Sequence, residues 1–421
     1  MLIALAIGFV LLMTYGKIRG FGFAELFKVA GAGVASVKNI AIVMLLVGAL
    51  TALWRATGTI AFIVSLASGA LTPELFLPAS FLLCAAISVL TGTSVGTAAT
   101  MGVICMTVGN AIGIDAAICG GAILSGAYFG DRCSPVSTSA LLVAEVTGTN
   151  LYDNIRGMIR TGWIPTVIAL AVYSILGFFA DAQSAAANVS EIFAKYFNLH
   201  WYLALPAISI LVLALFRINV KINMLVSIAI SIAIYFIGGG TIDTGDINSQ
   251  VVGIAGFANI LKIMFFGFDA PEEIAAMLSG GGMLSMMKLI LVVIISLTYA
   301  GLFKLLGILE KMNLVITRLA QKVSSFGCVT LTAIATCALA CNQTLSIVLT
   351  NDICQGIMPN EKERAIALEN TSVIIAPLVP WTVASLVPLG AINAPTTSIL
   401  FAFFLILTPA IQWIASKKNI K

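Results

Sequence analysis

Residues 201–216 read WYLALPAISILVLALF, a run without a single charged side chain. It approaches the roughly 20 apolar residues that a helix needs to cross the hydrocarbon core of a bilayer. Residues 396–414 repeat that character, and similar runs recur every few dozen residues along all 421. Composition agrees. Hydrophobic residues make up 60% and charged residues 10%, with a mean hydropathy of +1.08, whereas an ordinary soluble domain carries about 25% charged residues. A water-soluble globule is excluded. Because backbone in lipid has to satisfy its own hydrogen bonds, the segments read as helices, and the fold class is an all-α polytopic membrane protein.

Spans are expected near 2–15, 39–54, 74–91, 98–129 with breaks, 136–148, 161–180, 201–216, 222–239, 285–309, 327–350, 364–390 with breaks, and 396–415. The net charge of +4 does not indicate nucleic-acid binding, because the cations lie in loops between apolar runs. Lys17, Arg19, Lys28 and Lys38, then Arg217 and Lys221, then Lys311, Arg318 and Lys322, and finally Lys417, Lys418 and Lys421 mark cytoplasmic segments by the positive-inside rule. The acidic stretches 181–191 and 241–250 then lie outside. MLIALAIGFVLLMTY at the start lacks a basic leader and an A-x-A cleavage site, so it reads as a membrane segment. The eight cysteines lack the short paired spacing of a zinc site and read as reduced packing residues. His200 beside Trp201, Trp54 with Arg55, and Trp163 read as interfacial anchors.

Residues 21–38, FGFAELFKVAGAGVASVK, and 266–288, FGFDAPEEIAAMLSGGGMLSMMK, share the order F-G-F, acid, small-residue cluster, Ser, Lys. By charge the first lies inside and the second outside. Two copies in opposite orientation predict an inverted-repeat transporter with its site at mid-membrane: 1–190 as the first repeat, 191–221 as a linker with a connecting helix, and 222–421 as the second. The simpler alternative is chance recurrence in a narrow composition.

Four polar interruptions break the apolar runs: Thr91-Gly92-Thr93-Ser94-Val95-Gly96-Thr97; Ser125 through Ser139, including Asp131, Arg132, Ser134, Ser137 and Thr138; Cys341-Asn342-Gln343-Thr344; and Glu369-Asn370-Thr371-Ser372 before Ala376-Pro377-Leu378-Val379-Pro380-Trp381. Unwound backbone at that depth is tolerated only where protein buries it or a watery cavity is lined by it. The expected ion or solute site comprises Thr91, Thr93, Ser94, Thr97, Asp131, Ser134, Ser137, Thr138, Asn342, Gln343, Glu369, Asn370 and Thr371. Asp131, Thr93 and Asn342 are the expected ligands of a sodium ion. No cofactor is expected beyond Na⁺ and H⁺ as coupling ions. Ionisable groups at membrane depth are functional candidates by default, yet Asp131 could simply pair with Arg132 or Arg156, and Glu369 could sit in the watery interface behind Glu361, Lys362, Glu363 and Arg364. Glu145 is either a proton carrier or a partner of Arg156 or Arg160. Asn342, Gln343 and the hydroxyls could be helix-to-helix hydrogen-bond glue.

LTGTSVGTAATMGV, GAILSGAYFGDRCSPVS, NQTLSIVL, and LEN followed by APLVPW resemble, in order and across nearly the whole chain, the NhaC family of sodium/proton antiporters, whose pattern runs close to TGTSxGT, SGAxFGDxxSPLSDTTN, NQYLxIVLP and LEDxGTxTSPLxPW. The resemblance implies the ion-transporter superfamily, broken helices or re-entrant hairpins, elevator movement of a transport domain against a scaffold, and exchange of Na⁺, H⁺ or organic anions such as malate and lactate. Departures stand at Thr138 and Asn370, where the family has Asp, at Leu141 for Asn and at Thr350 for Pro. Loss of two acids favours a solute that supplies its own charge, a carboxylate or an amino acid. Two other classes compete. An intramembrane aspartyl protease is faintly echoed in Phe129-Gly130-Asp131 and Tyr152-Asp153; a channel should show a ring of like filter residues, which is absent. The partners expected are the lipid bilayer and a small ion or organic solute, with no nucleic acid and a homodimer left open, in the cytoplasmic membrane of a prokaryote.

Overall fold

The computed structural model describes residues 2–34, 37–70, 73–179, 193–216, 218–237, 254–307 and 323–418. The acidic stretches 181–191 and 241–250, with Arg217, Lys311, Arg318, Lys322 and Lys421, lie outside the described residues. Among those described, the chain is helical and five helices are long and apolar enough to cross a membrane: Val37–Ala56, Glu74–Thr91, Leu151–Phe178, Val220–Ile237 and Met283–Phe303. A sixth span is a pair bent by 59°, Glu361–Leu378 with Val383–Ala391.

In chain order the helices are α1 (Leu2–Ile18), α2 (Phe23–Val34), α3 (Val37–Ala56), α4 (Thr59–Ala70), α5 (Pro73–Thr91), α6 (Ser94–Thr97), α7 (Val103–Ala111), α8 (Ala116–Cys133), α9 (Thr138–Thr147), α10 (Leu151–Phe178), α11 (Leu205–Leu215), α12 (Val220–Ile237), α13 (Ile254–Phe266), α14 (Glu272–Leu278), α15 (Met283–Leu305), α16 (Ser325–Ala340), α17 (Gln343–Cys354), α18 (Glu361–Glu369), α19 (Ser372–Ile375), α20 (Val383–Ala391) and α21 (Phe403–Lys418). A π-helical turn, Ala98–Gly102, joins α6 to α7. Four helices escape the apolar-run reading, α2, α4, α13 and α14, and α10 begins ten residues before the expected 161. Its first turns, LYDNIRGMIR, are polar enough to hide a helix from a hydropathy window, but Asn150 caps them by accepting from the Tyr152 and Asp153 amides.

One group of helices centres on α3, which packs against α12, α13 and α15. Trp54 is not an interfacial anchor, as its sequence neighbourhood suggested. It is fully buried, and its indole N–H donates to Ser227 Oγ at 3.0 Å, which in turn donates to the Pro206 carbonyl at 2.8 Å. Arg55 likewise turns inward to the Ser279 carbonyl. His200, stacked on Tyr202, Trp201 and Trp163 remain exposed. Helix α2 is amphipathic: Leu26 is buried against Leu302 and Leu306, while Phe23 and Phe27 are exposed. It lies at one edge with Lys17 over the Phe23 ring, as an interfacial helix should.

A second group is built on α5 and α8, the most intimate pair in the molecule. Gly126 and Gly130 lie one turn apart on α8. A Cβ at Gly126 would run into the Phe81 carbonyl, and one at Gly130 into Ser88 and the Val89 amide, so only glycine permits this approach. Phe81, Phe129, Tyr173, Phe403 and Phe404 fill the surrounding space, and the Tyr173 hydroxyl ties α8 to the start of α21 through Ser125 and the Phe401 carbonyl.

The α6–α7 run doubles back along α5 and α8, since the Cα side of Gly109 faces Phe76 and Cys119 while Gly102 faces Ile123. Helices α16 and α17 form a second antiparallel hairpin, zipped by the Thr336 hydroxyl against Ser346 at 2.9 Å and Thr350 at 2.7 Å. All eight cysteines are free and buried.

Candidate functional site

The tip of the first hairpin is made by one residue in the left-handed region. Gly92 has φ +66, and a Cβ there would lie 2.7 Å from the Val136 backbone. Thr93 then opens the next helix, accepting from the Gly96 amide. Because Gly92 fits against Val136, the tip meets the second interruption, and the Ser134 hydroxyl fastens it by donating to the Val89 carbonyl at 2.7 Å. Asp131 stands in the last turn of α8, buried, with Ser137 donating to one carboxylate oxygen at 3.0 Å and Ser139 to the other at 3.3 Å. Ser137 also caps α9.

The second hairpin turns in the same way. Cys341 has φ 55, and Asn342 caps α17 through the Thr344 amide at 2.8 Å. Its tip meets the interruption before α20: the Val383 amide donates to the Cys341 carbonyl at 3.0 Å, Trp381 to the Ala338 carbonyl at 2.8 Å, and Gln343 to the Val373 carbonyl at 2.8 Å.

These two assemblies touch. Tyr128 donates to the Ala384 carbonyl at 2.7 Å. Arg132, fully buried, donates through Nη2 to the Met158 carbonyl at 3.1 Å, to Thr161 at 2.9 Å and to the Asn370 side-chain oxygen. Gly162 makes room for it, because a Cβ there would lie 2.8 Å from Nη1. Glu369, next to Asn370, is also fully buried, yet neither of its oxygens receives a hydrogen bond. Arg132 Nε and Nη1, Asn370 Nδ2, Ser372 Oγ and Ser385 Oγ are unpartnered as well. Native interiors satisfy nearly all such groups, so a concentration of orphans needs a reason. A guanidinium that cannot lose its proton, beside two carboxylates that can, forms a centre whose charge changes by taking up or releasing protons or ions.

Of the residues singled out from sequence, Ser94, Thr97, Asp131, Ser134, Ser137, Glu369, Asn370 and Thr371 are buried, and Thr91, Thr93, Asn342 and Gln343 are half-buried at the two tips. Thr138 faces outward. Asn342 spends its side-chain oxygen on its own helix. Glu369 does not sit in the watery interface, although Glu361, Lys362 and Glu363 do; the helix climbs two turns between them. Glu145 is exposed near the end of α9. Sequence reading passed over Arg132 as a site residue, along with Tyr128, Ser139, Ser385 and Asn223. For Arg132 the signal was present: a lone arginine inside an apolar run is itself a functional flag.

The Na⁺/H⁺ antiporter family model matches residues 1–147 and 126–414. The chain belongs to that family. The malate-2H⁺/Na⁺-lactate antiporter of Bacillus subtilis strain 168 is 25% identical over 94% of this chain and 85% of its own length. The Na⁺/H⁺ antiporter NhaC of Alkalihalophilus pseudofirmus is 29% identical over 87% and 79%, and the arginine/ornithine antiporter ArcD of Halobacterium salinarum 28% over 93% and 81%. Family and relatives are transporters, so this family member is a membrane transporter and not an enzyme. The protease reading also fails on geometry: Asp153 is exposed and lies 3.7 Å from Arg156 rather than beside Asp131.

Proposed function

We propose that the protein is a secondary antiporter of the cytoplasmic membrane of a prokaryote, exchanging Na⁺, or a small organic ion coupled to Na⁺ and H⁺, by alternating access at the meeting point of its four helix breaks. The observation that carries this reading is that each hairpin tip is fastened to a broken helix, at Val136 and at Val383, and that the two assemblies join through Tyr128 to Ala384 and Arg132 to Asn370, beside the buried Asp131 and Glu369.

The backbone supports two related halves. Each tip is a left-handed residue followed by an extended capping residue, Gly92-Thr93 and Cys341-Asn342. Beyond the tips the caps recur at equal intervals: Asp115 precedes Ser137 by 22 residues as Asn360 precedes Thr382, and Ser137 precedes the left-handed Gly148 by 11 as Thr382 precedes the left-handed Asn393. The open end of the first hairpin is flanked by Glu74 and Asp115 and carries no Lys or Arg, whereas the segment after the second hairpin carries the exposed Lys362. Hairpins opening on opposite membrane faces are what an inverted repeat requires. Movement of the α5–α8 group against the α3 group would then expose the site alternately.

Exchange of a carboxylate or amino acid is a second reading, favoured by the two spare donors of Arg132, which suit a carboxylate.

In proteoliposomes, an imposed Na⁺ gradient is expected to drive proton or solute movement, and Asp131→Asn to lower that coupled flux by about tenfold or more, the factor that 1.4 kcal/mol of differential binding carries. Unchanged coupled flux in the variant removes Asp131 from the mechanism.

A further inference from the structure

A cavity of about 40 Å³ lies between the tip of the first hairpin and the start of α12, lined by Thr91, Thr93, Thr100 and Asn223 with Ala214 and Val220 as its apolar wall. Asn223 is 1% exposed, and its side-chain oxygen has no hydrogen-bond donor. That oxygen is the unusual feature. A buried acceptor left without a partner is unfavourable by about 1–3 kcal/mol, and here its residue lines a space that could hold something to satisfy it.

We propose that this cavity is a sodium site, in which Asn223 Oδ1 and the Thr91 and Thr93 hydroxyls are the ligands. The inference rests on the antiport reading above and names where its coupling ion binds. The lining polar side chains carry oxygen or amide groups and no carboxylate, which disfavours Ca²⁺ and Mg²⁺, cations that draw on carboxylates, and leaves a hard monovalent cation. A water needs roughly 10–15 Å³ by this measure, so the space takes one ion with a water or two. Thr91 is the last residue of α5, and the carbonyls at a broken helix's C-terminal end are suitable sodium ligands. Negative charge is close at hand: Gly92, between Thr91 and Thr93, seats on Val136, and the next residue, Ser137, donates to the Asp131 carboxylate. The nearby Lys221 ammonium is turned away, donating to Asn39 on α3 at 2.8 Å.

Asn223 sits on α12, in the α3 group, whereas the threonines sit on the hairpin tip. Relative movement of the two groups would therefore assemble and dismantle the site. Gly96 permits the approach: a Cβ there would lie 2.8 Å from Val220.

The test is thermal unfolding of the purified full-length protein in NaCl against N-methylglucamine chloride at constant ionic strength, since a ligand stabilises the fold in proportion to ln(1 + [L]/Kd). Na⁺ is expected to raise the melting temperature of the wild type, Asn223→Ala to raise the half-saturating Na⁺ concentration at least tenfold, and Asn223→Asp to leave it unchanged or lower it. The melting temperatures of both variants in N-methylglucamine report whether they fold. Half-saturation of Asn223→Ala within twofold of wild type overturns the assignment, as does a wild type with no Na⁺ response. Proteoliposome flux separates the two readings: coupled transport with unaltered Na⁺ binding in Asn223→Ala sinks the cavity assignment alone, whereas absence of coupled transport in the wild type sinks the antiport reading.

Discussion

Arg132→Met is expected to destabilise the protein by about 3–5 kcal/mol, the penalty for leaving a buried charge without its counterpart, and Glu369→Gln in the same chain to recover most of that loss. Arg132 and Glu369 are both fully buried, and Arg132 donates to the side chain of Asn370, the residue next to Glu369. Removing the cation alone strands the carboxylate, which no donor approaches. Removing both charges leaves two neutral side chains in a space already closed to water, an exchange that is often neutral or favourable. Coupled flux should fall in both variants, because Arg132 no longer ties Asn370 to Thr161 and the Met158 carbonyl. Denaturant or detergent unfolding of the two variants measures the coupling directly. Equal stability for single and double variants would show that the two groups do not act on each other.

Gly130→Val should do comparable damage by a steric route. Its branched side chain would have to occupy the volume of Ser88 and the Val89 amide on α5, and backbone cannot be moved aside as a flexible side chain can. Overpacking of this kind ordinarily amounts to about 1–3 kcal/mol; here the obstacle is backbone at the tightest helix pair, so the upper end or beyond is expected. Wedging α5 from α8 also displaces Ser134 from the Val89 carbonyl and Asp131 from its serines. Loss of monodisperse protein after extraction is the readout. A variant that extracts and melts like the wild type would show that α5 and α8 do not need this contact.

Much of the transmembrane frame was legible from apolar run length alone, because lipid forces helical hydrogen bonding wherever a run is long enough. The four breaks were legible too, since Gly92, Pro135, Asn342 and Pro380 stand out against an apolar background. What could not be read was partnership. That Gly92 seats on Val136, or that Arg132 reaches Asn370 across 238 residues, depends on three-dimensional proximity that no local pattern carries. Trp54 was misplaced because an aromatic beside arginine at a helix end has the same composition whether it faces headgroups or a buried serine. Asn223 was invisible for a similar reason: one asparagine in VKINMLVS is unremarkable until the residue is found lining a cavity with its buried oxygen unpartnered.

The two hairpin tips reach the same backbone shape with different residues, glycine in one and cysteine in the other. Glycine adopts the left-handed conformation without penalty, whereas a residue with a Cβ gives up roughly 1–2 kcal/mol. Under alternating access, one turn is thus at rest and the other is held under tension by the bonds from Val383 and Trp381. Where those bonds are made in one access state only, the cost falls on that state alone and the two states of such a carrier are unequally populated even in a symmetric bath. Cys341→Gly, which releases the tension, should shift their ratio by up to about tenfold, visible as a change in the sidedness of labelling at exposed Thr138→Cys.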